Sequence, residues 1–255
     1  MRRILSIASL IIVMSMTGIG HAANWMDGLP SVPVTAKPLD KVWAAVPEGG
    51  GDMAKVGVFD VVSVQGNTAT LKNKIGTSFP NVPGALIHPI GNPSKLKVND
   101  IALGDSWGAS KVVGRVKSIE AGKVTLRYKF GSAITEKLMD HAQPLVSGVK
   151  PMALVIYRSM NSPYKGLVIA KGKGNVWIST DSGHVVTVPE ATVLSLDMAP
   201  KGFKVGQTVY AYQWGSGYKQ GTVTKIVEFY HQYEIKLVGK DKPEVFIFSE
   251  VAAKI

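Results

Sequence analysis

The residue types that perform hydrolysis occur close together in the segment Asp181-Ser182-Gly183-His184. A serine hydrolase built from two β-barrels would need Ser182 as the nucleophile, His88 or His141 as the base, and an aspartate to orient that base. Neither histidine lies in the motif of such an enzyme, and His184 stands where the oxyanion hole needs its paired glycine. We therefore expect a protein that is not an enzyme and assign no catalytic residue, with a two-barrel serine hydrolase as an alternative.

The residue spacing offers no metal or cofactor site. The chain has no Cys, which excludes disulfides, thiolate nucleophiles and Cys-ligated zinc. The histidines beyond residue 22 are never two or four positions apart, a spacing that would bring two imidazoles to one ion. These histidines are His88, His141, His184 and His231. A phosphate-binding Gly-x-x-x-x-Gly-Lys loop is also absent from the sequence, so we expect no metal and no cofactor.

Aromatic side chains are concentrated late in the chain. Tyr212, Trp214 and Tyr218 fall within seven consecutive residues. Three rings in one short loop exceed what the core of a small domain can bury, so we expect them to bind a ligand. The face of an aromatic ring attracts cations, with about 0.5–2 kcal/mol per contact.

The chain is basic, with a formal net charge of +11. The excess lies in the last three quarters of the chain, and Arg115, Lys117 and Arg127 alternate with apolar residues on strand-like segments. Such a basic face would concentrate anionic polymers near the protein. We expect an anionic polymer of the cell envelope as one ligand class and regard nucleic acid as an unlikely partner.

The elements that must position these side chains are predicted to be β-strands. Short β-branched runs and alternating segments such as Lys123–Phe130 are typical of strands with one solvent-exposed face. Only the window 134–141 has a helical pattern. A Gly-x-Val or similar motif recurs four times, with spacings of 57, 52 and 55 residues. A glycine at this position would let a strand bend sharply and approach its neighbour. The repeated glycines are Gly57, Gly114, Gly166 and Gly221.

These patterns predict an all-β protein of four tandem small five-stranded barrels after a cleaved signal peptide. Arg2 and Arg3 precede an apolar run, and Gly20-His21-Ala22 has the small residues of a cleavage site. We therefore expect a periplasmic or secreted protein with no membrane span after cleavage. The predicted divisions are a signal peptide at 1–22, a linker or extended lead-in at 23–37, and barrels at 38–92, 93–147, 148–200 and 201–255.

The fourth repeat resembles a Tudor/Agenet-type barrel, one of the Src-homology-like small β-barrels. The segment Lys204–Val223 is similar to that family's entry strand, aromatic-flanked loop and glycine turn, and Leu96–Ala102 opens the second repeat similarly. Tyr164-Lys165-Gly166 and Thr180-Asp181-Ser182-Gly183 are similar to the third-strand end and the acidic turn of the family. The resemblance implies an exported bacterial repeat protein that binds ligands and catalyses nothing.

The resemblance also implies which residues bind, namely the aromatic cluster beside the first loop of a barrel. In the fourth repeat these are Tyr212, Trp214 and Tyr218, with Phe246 on the fourth strand, and in the second repeat Trp107. No single repeat has a complete cage of rings and an acid. The implied function is an adaptor that holds a peptide or an anionic envelope polymer. The alternative of another class is a structural or assembly component of an envelope complex.

Overall fold

The computed structural model describes residues 25–49, 51–106, 110–130, 133–159, 162–196, 202–227, 232–253 and 255. Within these residues the chain forms four antiparallel five-stranded sheets, and its helical parts are short 3-10 turns. The prediction of an all-β chain with four five-stranded units is therefore confirmed. The predicted signal peptide lies outside the described residues. The described part of the chain contains no helix long and apolar enough to cross a membrane.

Each sheet, which we call a barrel, takes its strands from one continuous stretch of chain. Barrel 1 contains β1 (Lys41–Pro47), β2 (Ala54–Gln65), β3 (Thr68–Lys72), β4 (Ser78–Pro83) and β5 (Ile87–Pro89). Barrel 2 contains β6 (Ile101–Ser106), β7 (Ser110–Glu120), β8 (Lys123–Phe130), β9 (Ala133–Met139) and β10 (His141–Pro144). Barrel 3 contains β11 (Leu154–Ser159), β12 (Ser162–Gly172), β13 (Asn175–Ser179), β14 (Val185–Pro189) and β15 (Leu194–Ser195). Barrel 4 contains β16 (Thr208–Gln213), β17 (Gly217–Val227), β18 (Gln232–Leu237), β19 (Glu244–Ile247) and β20 (Val251–Ala252).

The helical expectation for residues 134–141 is wrong. Most of that window belongs to β9, which pairs along its whole length with β8. Glu136 lies directly opposite Arg127 in this ladder, and opposite charges in a cross-strand pair stabilise a sheet. Pairing with the preceding strand therefore decides the structure of a segment whose own pattern is ambiguous.

The strand order is the same in all four barrels. Strands one to four form a meander, and the short fifth strand returns to pair with the outer edge of the first. The long second strand carries a β-bulge directly after a valine. The backbone N–H of this valine donates to the carbonyl oxygen of the residue directly before the first strand. Bulges bend and twist a strand, which lets so small a sheet curl. The four valines are Val61, Val116, Val168 and Val223.

The bend glycines are confirmed in three barrels, and the assignment in barrel 1 is corrected. In barrels 2 to 4 the glycine lies two residues before the bulge valine. A Cβ on Gly114 would come within 2.7 Å of the Arg127 carbonyl oxygen, which no side chain tolerates. In barrel 1 the equivalent position is Phe59, and Gly57 lies two residues too early. The true repeat spacing, measured between the bulge valines, is 55, 52 and 55 residues.

The four barrels pack in a ring in the order 1, 2, 4, 3. Strands β2 and β7 join barrels 1 and 2, and Arg115 of barrel 2 lies over the Phe248 ring of barrel 4. Strands β12 and β17 join barrels 3 and 4. Barrels 3 and 1 are joined by backbone hydrogen bonds from Ala54 N to Gly183 O and from Val185 N to Asp52 O.

The lead-in segment is part of the packed structure from Trp25 onward. Trp25 is buried, and its carbonyl oxygen accepts a hydrogen bond from Trp177 Nε1 at 3.0 Å. Val34 N donates to Gly66 O of barrel 1, and Pro30 lies against Gly172 of barrel 3. These contacts fasten the segment across barrels 1 and 3, so it does not act as a free linker.

Candidate functional site

A groove of about 280 Å³ lies between barrels 3 and 4. We call it the 3–4 groove. Its lining combines aromatic rings, hydroxyl groups and a small number of charged side chains, which is the composition of a ligand site. The lining residues are Tyr157, Ser159, Tyr164, Lys165, Thr180, Asp181, Ser182, His184, Val186, Tyr212, Trp214 and Gly215.

Two pairs of strands supply the aromatic walls. Tyr157 and Tyr164 are direct partners on β11 and β12, and their ring centroids are 6.0 Å apart. Tyr212 lies near the end of β16, opposite Tyr218, and Trp214 begins the turn to β17. The Trp214 residue is 78% exposed, so its indole is available to a ligand. The four groove rings come from two barrels, two from each.

A glycine allows the two barrels to approach so closely. Gly217 has a φ of 73°, and a Cβ at this position would collide with the Pro163 carbonyl oxygen at the start of β12. Because the backbones touch here, the turn that carries Trp214 is held beside the strand that carries Tyr164.

Asp181 supplies the carboxylate of the groove. It lies in the turn between β13 and β14, which Thr180 closes by donating its backbone N–H to the His184 carbonyl. Tyr212 is hydrogen-bonded to Asp181, and burial together with this carboxylate raises the pKa of Tyr212 above its usual range. The phenol is therefore a neutral donor, and Asp181 is held facing the rings.

A cation of the chain itself occupies the groove. The Lys165 Nζ lies 4.8 Å from the centroid of the Tyr212 ring and 3.9 Å from Asp181 Oδ2. Its side chain is only 16% exposed, so the contact is partly shielded from water, where a cation–π interaction is strongest.

A second lysine, from barrel 2, is bound next to the turn that carries Asp181. Lys111 Nζ donates to Ser179 Oγ at 2.6 Å and to the Thr180 carbonyl oxygen at 3.1 Å. Burial lowers the pKa of Lys111 to about 8, the nearby charge of Asp181 opposes this shift, and that of Lys165 adds to it. Asp181 is the only acid that lines the groove, and two lysines lie close to it.

The residues considered for hydrolysis do not assemble around Ser182. Ser182 Oγ lies 3.0 Å from Thr180 Oγ1. His88 donates from Nε2 to the Ile169 carbonyl oxygen at 2.7 Å, and His141 is on β10 of barrel 2. His184 Nδ1 lies 2.9 Å from Asp52 of barrel 1, an exposed pair that joins barrels 3 and 1. The described residues contain no cluster of His, Asp and Glu that could hold a metal ion.

The predicted binding residues of barrel 4 separate into two groups. Tyr212 and Trp214 line the groove. Tyr218 is 3% exposed and packs behind Tyr212, with ring centroids 5.2 Å apart. Phe246 is 2% exposed and belongs to the core of barrel 4, so it is a packing residue rather than a ligand contact. Trp107, predicted in barrel 2, lies outside the described residues.

The predicted basic face does not form one free surface. Arg115 is 6% exposed, at the junction of barrels 2 and 4. Lys117 and Arg127 are both paired with Glu136 of β9, with 2.6 Å between Arg127 Nε and Glu136 Oε1. The bulge after Val116 leaves Lys117 without a direct cross-strand partner on β8, which strict alternation along the strand does not anticipate.

Sequence reasoning noted the rings and the acid of this site but did not combine them. It tested each repeat for a complete cage, whereas the groove takes Tyr157, Tyr164 and Asp181 from barrel 3 and Tyr212 and Trp214 from barrel 4. Tyr157 could have been found, because it lies near the end of the first strand of its repeat, as Tyr212 does in the next one.

No family model and no curated protein sequence matches this chain. Among solved structures, the chain is similar to the four MBT repeats of Drosophila melanogaster Sfmbt in complex with the peptide RHR(me)KVLR. The identity is 11%, the TM-score is 0.19, and the match covers 91% of this chain and 92% of that chain.

Proposed function

We propose that this chain is an exported, non-enzymatic binding protein whose 3–4 groove takes a cationic side chain of an extended peptide. The observation that carries the proposal is the ammonium of Lys165, held between the Tyr212 ring and Asp181. This contact supports a groove that accommodates a cation over one ring and beside one carboxylate.

The shape of the groove supports a side chain as the ligand rather than a free ion. Its volume of about 280 Å³ is near the lower limit of small-molecule sites. Trp214 is largely exposed at the groove and offers a flat surface for the apolar stem of an arginine or lysine. Thr180 and Ser182 on the opposite turn add hydroxyl groups for a peptide backbone.

Export is part of the proposal and is supported by the residue pattern of positions 1–22. An anionic envelope polymer is the second ligand class that the composition favours. We consider the polymer a weaker candidate ligand than the peptide, because Arg115 is buried and because Lys117 and Arg127 are both paired with Glu136. A structural role in an envelope complex would use the outer faces of the ring instead of the groove.

The proposal can be tested with the peptides acetyl-Ser-Arg-Ser-amide and acetyl-Ser-citrulline-Ser-amide, which differ in charge but hardly in shape. Indole N–H resonances of the ¹⁵N-labelled protein report on binding, with the Trp214 resonance assigned from its loss in Trp214→Phe. We expect the arginine peptide to move the Trp214 resonance and the citrulline peptide to leave it in place. Titration to about 50 mM detects binding free energies down to about 2 kcal/mol.

Trp214→Ala should weaken arginine-peptide binding at least about tenfold, since it removes an entire wall of the groove. Because this variant lacks the reporting indole, binding to it and to the wild type is followed by the backbone amide resonances of Thr180 and Ser182, which line the groove. Because Trp214 is exposed, the unfolding free energy should change by less than about 0.5 kcal/mol. The matched control is Val238→Ala, which removes a residue of barrel 4 that is 77% exposed and does not line the groove. Equal binding by wild type and Trp214→Ala would contradict the proposal.

A further inference from the structure

Lys165 is a lysine of the chain in the place of a ligand cation. Its ammonium touches the Tyr212 face and Asp181, the two groups that would receive an incoming cation. It stands on β12 directly before the bend position Gly166 and opposite Ile156. A flexible side chain on a rigid strand can leave these contacts without any movement of the backbone.

The charges near the groove determine how a second cation can enter. The Lys165 ammonium already lies 3.9 Å from Asp181. Lys111 is also close enough for the charge of Asp181 to raise the pKa of Lys111. His184 also lines the groove but bonds outward to Asp52. A third cation beside a single carboxylate would be repelled at short range in a partly desolvated site. Simple addition of a cationic ligand is therefore unfavourable.

We infer that Lys165 is an internal competitor for the 3–4 groove, so that a cationic side chain binds by exchange with it. This inference rests on the proposed function and specifies how that site selects its ligand. During the exchange the Lys165 ammonium moves to water, and the ligand takes its place between Tyr212 and Asp181. The net charge of the site is unchanged, and Asp181 keeps a partner throughout.

Exchange makes Lys165 a determinant of specificity. A lysine side chain of a peptide would replace an ammonium with an identical ammonium and gain nothing at the rings. A guanidinium is planar, less strongly hydrated and stacks on aromatic faces. The groove should therefore prefer arginine to lysine in otherwise identical peptides, whereas an unoccupied cage would discriminate less.

The direct test follows Lys165 itself in the wild-type protein. Protons above an aromatic face resonate upfield, so the Lys165 ε-methylene signal should be displaced from those of exposed lysines. Saturating acetyl-Ser-Arg-Ser-amide should return it to the exposed value. An ε-methylene signal that stays in place while Trp214 responds to the peptide would overturn the exchange and leave the proposed function standing.

Two substitutions of opposite sign complete the test. Lys165→Met keeps the apolar stem and removes the competitor, so the arginine peptide should bind about 2- to 30-fold more tightly, the range of one cation–π contact. Lys165→Arg strengthens the competitor and should weaken binding. Thermal unfolding of both variants checks that barrels 3 and 4 stay folded.

The outcomes separate the two proposals. Unchanged or weaker binding by a folded Lys165→Met variant would show that Lys165 holds the ligand or is uninvolved, which overturns the inference. Binding by Lys165→Met alone, with none by the wild type, would show that Lys165 excludes the ligand instead of exchanging with it, which overturns the inference. A Trp214 resonance that ignores the peptide in the wild type and in both variants would remove the proposed function, and the exchange with it.

Discussion

Two junctions of the ring place a cation over an aromatic face, and their surroundings differ. Lys165 lies 4.8 Å from the Tyr212 centroid between barrels 3 and 4, and the Arg115 guanidinium carbon lies 5.1 Å from the Phe248 centroid between barrels 2 and 4. Lys165 faces a groove and has Asp181 beside it. Arg115 is 6% exposed, and its Nε and Nη1 atoms find no hydrogen-bond partner among the described residues.

The comparison separates a contact that holds domains together from one that can bind a ligand. A cation over a ring stabilises both junctions. Only a cation that can reach water can be exchanged, and only a carboxylate that stays in place makes the exchange favourable. Lys165 meets both conditions. Arg115 is buried away from water, and this burial lowers the pKa of Arg115.

The largest expected effect is at the sealed junction. Phe248→Ala removes a buried ring and leaves the Arg115 guanidinium above a cavity. We expect a loss of about 3 kcal/mol in the free energy of unfolding, as for other buried Phe→Ala changes, measured by urea denaturation. Binding of the arginine peptide at the 3–4 groove should change less than twofold.

Trp214→Ala is the counterpart of that variant and should show the reverse pattern, with stability kept and binding lost. The comparison fails if Phe248→Ala disrupts the groove as strongly as Trp214→Ala does. It also fails if both variants lose the same amount of unfolding free energy.

The next largest effect concerns Asp105, a second buried charge of barrel 2. Burial, aided by the charge of Asp140, raises the pKa of Asp105 to about 6, and its Oδ1 has no partner among the described residues. A folded-state pKa above the unfolded value means that stability falls as pH rises from about 4 to about 6. Asp105→Asn should therefore stabilise the protein by about 2 kcal/mol at pH values above about 7.

The same reasoning requires most of that gain to disappear at about pH 3, where the carboxyl group is largely neutral in both states. Urea unfolding of the wild type and Asp105→Asn at both pH values provides the measurement. Asp60→Asn is the control, because Asp60 is an acid of barrel 1 in an exposed ion pair with Lys41, which contributes little to stability. A gain from Asp105→Asn that is independent of pH would mean that hydrogen bonding, not charge, is responsible.

The repeated fold could be predicted because it depends on local geometry. Gly114, Gly166 and Gly221 mark places where a backbone oxygen or an isoleucine methyl group of the third strand leaves no room for a Cβ, and this constraint is visible in sequence. The helical pattern of 134–141 failed because cross-strand pairs between β8 and β9 decided the outcome. In barrel 1 the position of the bend glycine is occupied by Phe59, and a phenylalanine gives no indication of a bend in the sequence.

The site was harder to predict because it is formed between repeats. Tyr212 and Trp214 were identified from their density in one loop, and both line the groove. The partnership of Tyr157 and Asp181 with these rings depends on how barrel 3 meets barrel 4, which spacing within one repeat does not reveal. Burial of Tyr218 and Phe246 likewise follows from packing, and the residue type of an aromatic side chain does not reveal whether it is buried or exposed.

The smallest expected effect distinguishes the groove from the basic residues of barrel 2. Lys117 and Arg127 hydrogen-bond to Glu136 and hold the pKa of its carboxyl below the usual value, so Glu136 is ionised and masks both cations. Glu136→Gln removes the mask without changing the fold, and the variant should elute from a heparin column at a higher salt concentration than the wild type. Lys123→Gln provides the opposite control, because it removes a cation from β8 and should lower the elution point.

Arginine-peptide binding at the 3–4 groove should be the same in all three proteins, since these residues do not line it. If Glu136→Gln left heparin retention unchanged but altered peptide binding, the basic residues and the groove would belong to one surface, and the contrast between sealed and exchangeable charges would have to be redrawn to include them.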